Sequence, residues 1–471
     1  MLFLIIACQI SSVIPQMPNI DQSVDLETFD AIIIGGGASG MATAMRLIEL
    51  GIEPIILERQ PALGGSGLYA GRFFAVDTPW QANHNIEDSV ATALNEWTNQ
   101  TQCLPHPALE AFLSESSAIL DWIGPEYFND VNYNVDVGWR IHPLNPDAGK
   151  PPLAVWAEYL ASYTELNTKA IRIETTANGF YRVHTDSGSV YTSANIVVAT
   201  GGFGRNIDFI QSVFPTMTEN DWHSEAWPYA DGSGLELISP FAPVDPFVSL
   251  HIHGVTDPLL SQPETMIVGD LSKALVVNQN GQRLFNEEDF EQLSFGVSQF
   301  SNHDFFVLFD APLWSNTAFK AFSFNHPDLE DQILTSEQYE NAAAPHIAET
   351  WVQLGSELGI PSDTLNQTVQ DYNTGINEGN DTFGKDLQGI PAIGLPPFYA
   401  LPLRYSSGRS FKGVDTNINM QVCHTEGCIE GLYAVGELQG LICASEGGYN
   451  GSITAAIYTG YAAAEHIVGL E

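Results

Sequence analysis

Residues 29–58 read FDAIIIGGGASGMATAMRLIELGIEPIILE. Phe29 to Ile34 is an isoleucine-rich apolar run, the pattern of a strand buried on both faces. It ends in Gly35-Gly36-Gly37-Ala38-Ser39-Gly40, and Met41 to Leu50 follow with helical periodicity. A second apolar run, Glu53 to Leu57, ends at Glu58. Strand, glycine turn, helix, strand and terminal acid make a complete βαβ unit of the dinucleotide-binding kind. In such a unit Gly35 makes the turn, Gly37 lets a pyrophosphate approach, and Gly40 packs helix against strand. Helix N-terminal N–H groups meet the phosphate. Glu58 accepts from ribose hydroxyls, which favours FAD or NAD over NADP.

Outward from this unit the chain keeps its rhythm only in part. Residues 170–192 alternate as an antiparallel meander, and Ala194 to Ala199 form a buried strand running into Thr200-Gly201-Gly202-Phe203-Gly204. From about 206 to 395 the strand–helix rhythm is lost, with helical stretches expected near 343–358 and 363–377. Regularity returns in GLYAVGE, Gly431 to Glu437, and in a small-residue helix over 451–467. At 471 residues the chain is too long for one core. The divisions expected are a leader or tether over 1–27, a nucleotide-binding domain over 28–240 and 396–471, and a capping substrate domain over 241–395.

Lys plus Arg number 16 against 57 Asp plus Glu, a formal net charge of −41. Phosphate backbones are bound through cations, so nucleic-acid binding is excluded as a main function, and an anionic membrane surface is disfavoured. The start, MLFLIIACQISSVIPQ, is shorter than the roughly 20 apolar residues of a membrane span. It resembles a secretory or lipoprotein leader without the positive n-region, so membrane attachment is expected at most through an N-terminal anchor, and export and cytoplasmic residence both stay open. Cys423 and Cys428 flank a turn-like tetrapeptide between two strand-like runs; they are either a hairpin disulfide or two thiols. The pair lacks the further ligands of a zinc site, and no metal is expected. N-x-S/T triplets at Asn99, Asn366, Asn380 and Asn450 decide nothing.

With Leu63-Gly64-Gly65-Ser66, ATGGFG and GLYAVGE in place, the chain resembles the flavoproteins of the fumarate reductase/succinate dehydrogenase superfamily, which includes ketosteroid dehydrogenases and urocanate reductases. The resemblance covers most of 28–471 and is strongest in the FAD-binding segments. It implies an α/β fold: a Rossmann-like FAD-binding domain split by an inserted α+β cap. It implies that Gly35, Gly37, Ala38, Ser39, Gly40, Glu58 and Arg59 hold the ADP half, with Gly65 and Ser66 along the pyrophosphate and ribityl. Ala170 would offer backbone to adenine, Thr200, Gly201 and Gly202 would approach the cofactor, and Glu437 would bind ribityl hydroxyls. Asn450, Ser452 and Ile453 would bring the last helix to the flavin pyrimidine. The stretch GGSGLYAGRFF holds no histidine for covalent attachment, so FAD is expected to be non-covalent. No CxxCH haem motif is present, so electrons come from a separate donor or acceptor or from the substrate.

At the active site the resemblance thins. The family's RFxNE segment is here Arg283-Leu284-Phe285-Asn286-Glu287, with Glu291 where an arginine proton donor is expected. Glu446 stands at or beside a second lost arginine, and Ser406 to Gly413 replace paired histidines. Such a site repels dicarboxylates, so a neutral or cationic small-molecule substrate is expected in place of fumarate or succinate. The catalytic candidates are Tyr449, Glu446, Arg409 and His253; Asp231-Gly232-Ser233-Gly234 reads as a structural turn. The function expected is reduction or desaturation of a carbon–carbon bond beside a carbonyl by hydride transfer at flavin N5. The alternatives are a peroxide-producing flavin oxidase, or a flavin-binding protein without turnover.

Overall fold

A computed structural model describes residues 27–101, 107–128, 140–213, 222–224, 227–244, 265–269, 274–287, 305–316, 319–323, 332–334, 345–403, 405–407, 413–439 and 452–469. The first βαβ unit is β1 (Ala31–Ile34), α1 (Ala38–Glu49) and β2 (Pro54–Leu57). After it come β3 (Arg72–Phe74), α2 (Pro107–Ile123), β4 (Ile141–Pro143) and a short β5 (Thr164–Glu165). The expected meander is present as β6 (Ala170–Thr175), β7 (Tyr181–Thr185) and β8 (Val190–Ser193), leading into β9 (Ile196–Val198). Helix α3 spans Ser233–Ile238.

The second layer of the chain is an antiparallel sheet of β10 (Leu275–Asn278), β11 (Phe305–Phe309), β12 (His346–Ala348) and β13 (Phe398–Leu403) in the order β10-β11-β13-β12. Helices α4 (Trp351–Leu358) and α5 (Ser362–Glu378) contribute Leu354, Leu365 and Val369 to its core. The chain closes with β14 (Gln421–His424), β15 (Gly427–Ala434) and α6 (Ser452–Ile467).

The main sheet runs β14-β15-β9-β1-β2-β5. All its pairs are parallel except the β14–β15 hairpin. Its apolar runs are explained by burial on both faces. Ala31 and Ile33 join the core that contains α1, α2 and α6, while Ile32 and Ile34 join the core under the meander and α3. Successive strand residues point to opposite faces, so a strand covered twice has no place for a polar side chain.

Two sequence expectations are corrected. The helical stretch near 343–358 begins only at Trp351, because Ile347 lies in edge strand β12 and the Thr350 side chain caps α4 by accepting from Gln353 N. The second sheet continues through β13 to Leu403, past the expected cap boundary at 395, since β13 pairs with β11 and β12 in this sheet. Cys423 and Cys428 face each other across the β14–β15 hairpin and form a disulfide, with Cα atoms 3.9 Å apart. Where the chain leaves the first layer and returns, Val244 and Val414 make an isolated antiparallel bridge.

Helix α1 sits against strand and helix at glycine-only distances. A Cβ at Gly40 would stand 2.0 Å from the Gly35 carbonyl oxygen, and one at Gly460 would stand 2.2 Å from the Ser39 carbonyl oxygen. Gly40→Ala is therefore expected to destabilise the protein by at least about 2 kcal/mol, measured as the chemical-denaturation midpoint of flavin-free protein.

Candidate functional site

The carboxyl ends of β9, β1 and β2 lie side by side, and the chain leaves β1 towards β2 and leaves β9 towards the opposite side, the switch point where open α/β sheets hold ligands in a crevice. Its glycines divide into two kinds. Gly35 (φ +104°) has no room for a side chain, because a Cβ would lie 2.5 Å from the Ala199 carbonyl oxygen; Gly36 is blocked by Leu63 at 2.1 Å. Gly37 is different: its φ of −74° suits any residue, and a Cβ there would meet no protein atom within 4 Å. Gly201 also faces open space, although its φ of +77° itself calls for glycine. Open space beside Gly37, at the N-terminus of α1, fits a ligand that needs the backbone bare. No side chain caps α1 and no acid lies in its first turn, which suits an anionic group there.

The other expected segments converge on the same place. Gly65 lies with its absent side chain 3.5 Å from Gly37 Cα, and the Gly65–Tyr69 turn carries Ser66. Gly67 faces Ala38 and Ile453, which brings the N-terminal ends of α1 and α6 together. Gly436, on the turn that carries half-buried Glu437, lies against Ser39 and donates its N–H to Thr459 Oγ1 at 2.8 Å. Thr454 Oγ1 accepts from Phe74 N at 2.9 Å and ties α6 to β3. Thr200 Oγ1 is buried without a hydrogen-bond partner at the edge of the glycine turn Gly201-Gly202. An uncapped helix start beside an open Gly37 fits the phosphate groups of FAD.

Glu58 is 8% exposed. Its carboxylate accepts from Gly36 N at 2.6 Å and Gln60 N at 2.7 Å, which aims it at the glycine turn. Ala170 starts β6 next to Thr168, whose N–H donates to the Glu58 carbonyl at 2.9 Å. Arg59 pairs with Asp231 at 2.7 Å. His253, Arg409, Glu446, Tyr449, Asn450 and Glu291 lie outside the described residues, and Ser452 is described by its backbone alone. The cofactor segments therefore meet, while the proton-handling candidates are placed by sequence only.

One cluster of four charged side chains carries structure that the sequence did not announce. In RLFNE, Arg283 grips Glu287 with two hydrogen bonds, 2.9 and 2.8 Å, and also binds Asp381. Lys385 Nζ, 3.3 Å from Glu287 and 2.7 Å from the Ala274 carbonyl, completes the cluster beneath Tyr372. Burial works against the Arg283 charge, but its hydrogen bonds to Glu287 and Asp381 raise its pKa. Asp381 and Lys385 lie 98 residues from their partners, beyond any local signal. RLFNE is thus an ionic anchor of the second core, and Glu287→Gln is expected to lower stability by about 3 kcal/mol in calorimetry by leaving buried cations uncompensated.

His142 on β4 is buried against Trp80, with Nε2 unpartnered. Burial lowers its imidazole from 6.5 to about 4. The folded protein holds it neutral where the unfolded chain takes a proton, so its contribution is full above pH 6.5 and is lost as pH falls towards 4. The loss amounts to roughly 3 kcal/mol, and His142→Gln should flatten stability over that window in denaturation curves taken at each pH.

Among the described residues no group of three or more His, Cys, Asp or Glu side chains is placed to hold a metal ion, and no helix is long and apolar enough to cross a membrane. Comparison with known proteins matches residues 30–452 to the family described as FAD binding domain. The chain is 23% identical to the vinyl phenol reductase of Lactiplantibacillus plantarum, over 87% of this chain and 90% of that one. It is 23% identical to a cytochrome-type fumarate reductase of Shewanella frigidimarina, over 88% and 72%. Its fold is similar to that of 3-ketosteroid delta1-dehydrogenase from Sterolibacterium denitrificans, with TM-score 0.71, 18% identity, and coverage of 94% and 100%. Given such a cofactor, Gly37→Ala is expected to leave the unfolding midpoint of flavin-free protein unchanged. It should weaken FAD binding about tenfold, the effect of roughly 1.4 kcal/mol, by fluorescence titration.

Proposed function

The chain belongs to the FAD binding domain family and is an FAD-dependent oxidoreductase, and from that premise we propose that it adds or removes hydrogen across a carbon–carbon bond beside a carbonyl in a neutral or cationic substrate. The observation that carries the reading is a retained cofactor crevice and cap anchor combined with altered charge at the reaction positions. Arg283 and Glu287 keep the anchor of the second core, while Glu291 stands where an arginine proton donor is expected and Glu446 at or beside a substrate arginine. Relatives support a non-dicarboxylate substrate: a vinyl phenol reductase and a urocanate reductase lie among the proteins similar to this chain.

Bound FAD supplies hydride exchange at its N5. The chain supplies the rest. Gly37, Gly65 and Gly201 would leave space for the cofactor, Glu58 would hold ribose hydroxyls, and the N-terminus of α6 would offer positive charge to the reduced flavin. Tyr449 serves as the proton-handling group on the second substrate carbon, with Glu446, Arg409 and His253 as the other candidates for that role. The absence of a histidine in Gly64 to Phe74 supports non-covalent attachment. Flavin colour should leave the pellet on acid precipitation; colour retained there refutes it. The Cys423–Cys428 disulfide supports an oxidising compartment, and so export.

The deciding experiment is steady-state oxidation of reduced dye with fumarate and with a neutral α,β-unsaturated ketone. Turnover is expected with the ketone and not with fumarate; fumarate turnover comparable to that of a fumarate reductase overturns the proposal. Tyr449→Phe should lower ketone turnover about a hundredfold without loss of bound flavin.

A further inference from the structure

Arg59 follows directly on Glu58 at the carboxyl end of β2, yet its guanidinium belongs to another part of the chain. It donates to Asp231 Oδ2 at 2.7 Å and to the Tyr229 carbonyl oxygen, and lies 5.2 Å from the centre of the Tyr229 ring. The loop it reaches, 227–232, is fastened to the end of β9. Arg205 N donates to Ala230 O at 2.8 Å, Gly232 N to Gly202 O at 3.2 Å, and Asn206 Nδ2 to Asp231 O at 2.9 Å. Strands β2 and β9 flank β1 on opposite sides. The contact therefore spans about 10 Å, two strand spacings, over the carboxyl end of β1, which runs into Gly35-Gly36-Gly37.

The Asp231 side chain and Tyr229 are each 42% exposed, against 19% for the Arg59 side chain, so solvent reaches the acidic side of the pair and screens its contribution to stability. Partial burial pushes the Asp231 carboxyl up, but hydrogen bonds from Arg59 and Ser233 N outweigh it and keep it below the ordinary range. It stays ionised at neutral pH.

We propose that Arg59, Tyr229 and Asp231 form a clasp across the mouth of the crevice that retains the adenosine half of FAD and sets the rate at which the cofactor enters and leaves. The inference rests on FAD lying along Gly35 to Gly40. A dinucleotide seated there passes beneath the Arg59–Asp231 bridge, so release requires the bridge to open. Arg59 and Asp231 are positioning residues; the bridge is electrostatic and half in solvent, so salt loosens it.

The test follows flavin fluorescence as FAD leaves holoenzyme diluted into an excess of the apoprotein of an FAD-specific oxidase, a tight FAD trap, at low and high sodium chloride. Wild-type release is expected to quicken with salt. Arg59→Gln and Asp231→Asn should each release FAD about tenfold faster at low salt and lose the salt dependence, with unchanged melting temperatures in flavin-free form. The exchanged pair Arg59→Asp with Asp231→Arg should restore slow release. Release at the wild-type rate from both single variants, or a lowered melting temperature of the flavin-free singles, overturns the clasp. Wild-type protein that takes up no FAD overturns the premise and the clasp together, and is told apart by its lack of colour.

Discussion

The structure depends on backbone meeting backbone where no side chain fits. Helix α1 lies so close to β1 that Gly40 touches the Gly35 carbonyl, and so close to α6 that Gly460 touches the Ser39 carbonyl. Those two contacts fix the start of α1, and with it the direction in which its first N–H groups point. The threonines of α6 complete the arrangement: Thr454 and Thr459 are fully buried, and their hydroxyls receive the Phe74 and Gly436 N–H groups. A crevice that must present bare backbone to a long, polar cofactor is thereby held rigid by its own walls.

The nucleotide-binding half was legible because its rules are local. An apolar run, three glycines, a helical period and an acid lie within thirty residues, and each constrains the next. Even the role of Gly40 follows from its offset alone. The second core was less legible, since its antiparallel sheet joins strands near 275, 307, 347 and 400 through long connections that carry no common period. The stretch before α4 illustrates the difficulty. A helical period extended backwards through Ile347 ignores that Thr350 is a capping residue, where the helix must start. Ion pairs are the least legible of all: Arg283 meets Asp381, and Arg59 meets Asp231, only because the fold brings them together.

Cations are scarce in this chain, 16 against 57 acids, and several of the described ones lie against buried or half-buried carboxylates. Arg140, 3% exposed, holds the buried carboxylate of Asp88 at 2.7 Å and Glu96 at 2.6 Å. Arg46 joins α1 to Glu465 of α6 and lies 4.5 Å from the Tyr461 ring centre. Arg283 and Lys385 neutralise Glu287 inside the second core. Each such cation serves a carboxylate that is wholly or partly withdrawn from water, where an uncompensated charge is costly. Many of the other described acids face solvent, where their mutual repulsion works against compactness.

The Val244–Val414 bridge brings the chain back beside its point of departure, while from outside the excursion Ile210 joins its core and strand 222–224 pairs with 405–407. Departure and return are side by side, so the length of what lies between them scarcely alters the closure entropy, which grows only with the logarithm of loop size. The length of the excursion can therefore vary at small entropic cost while β1, β9 and β15 keep their pairing.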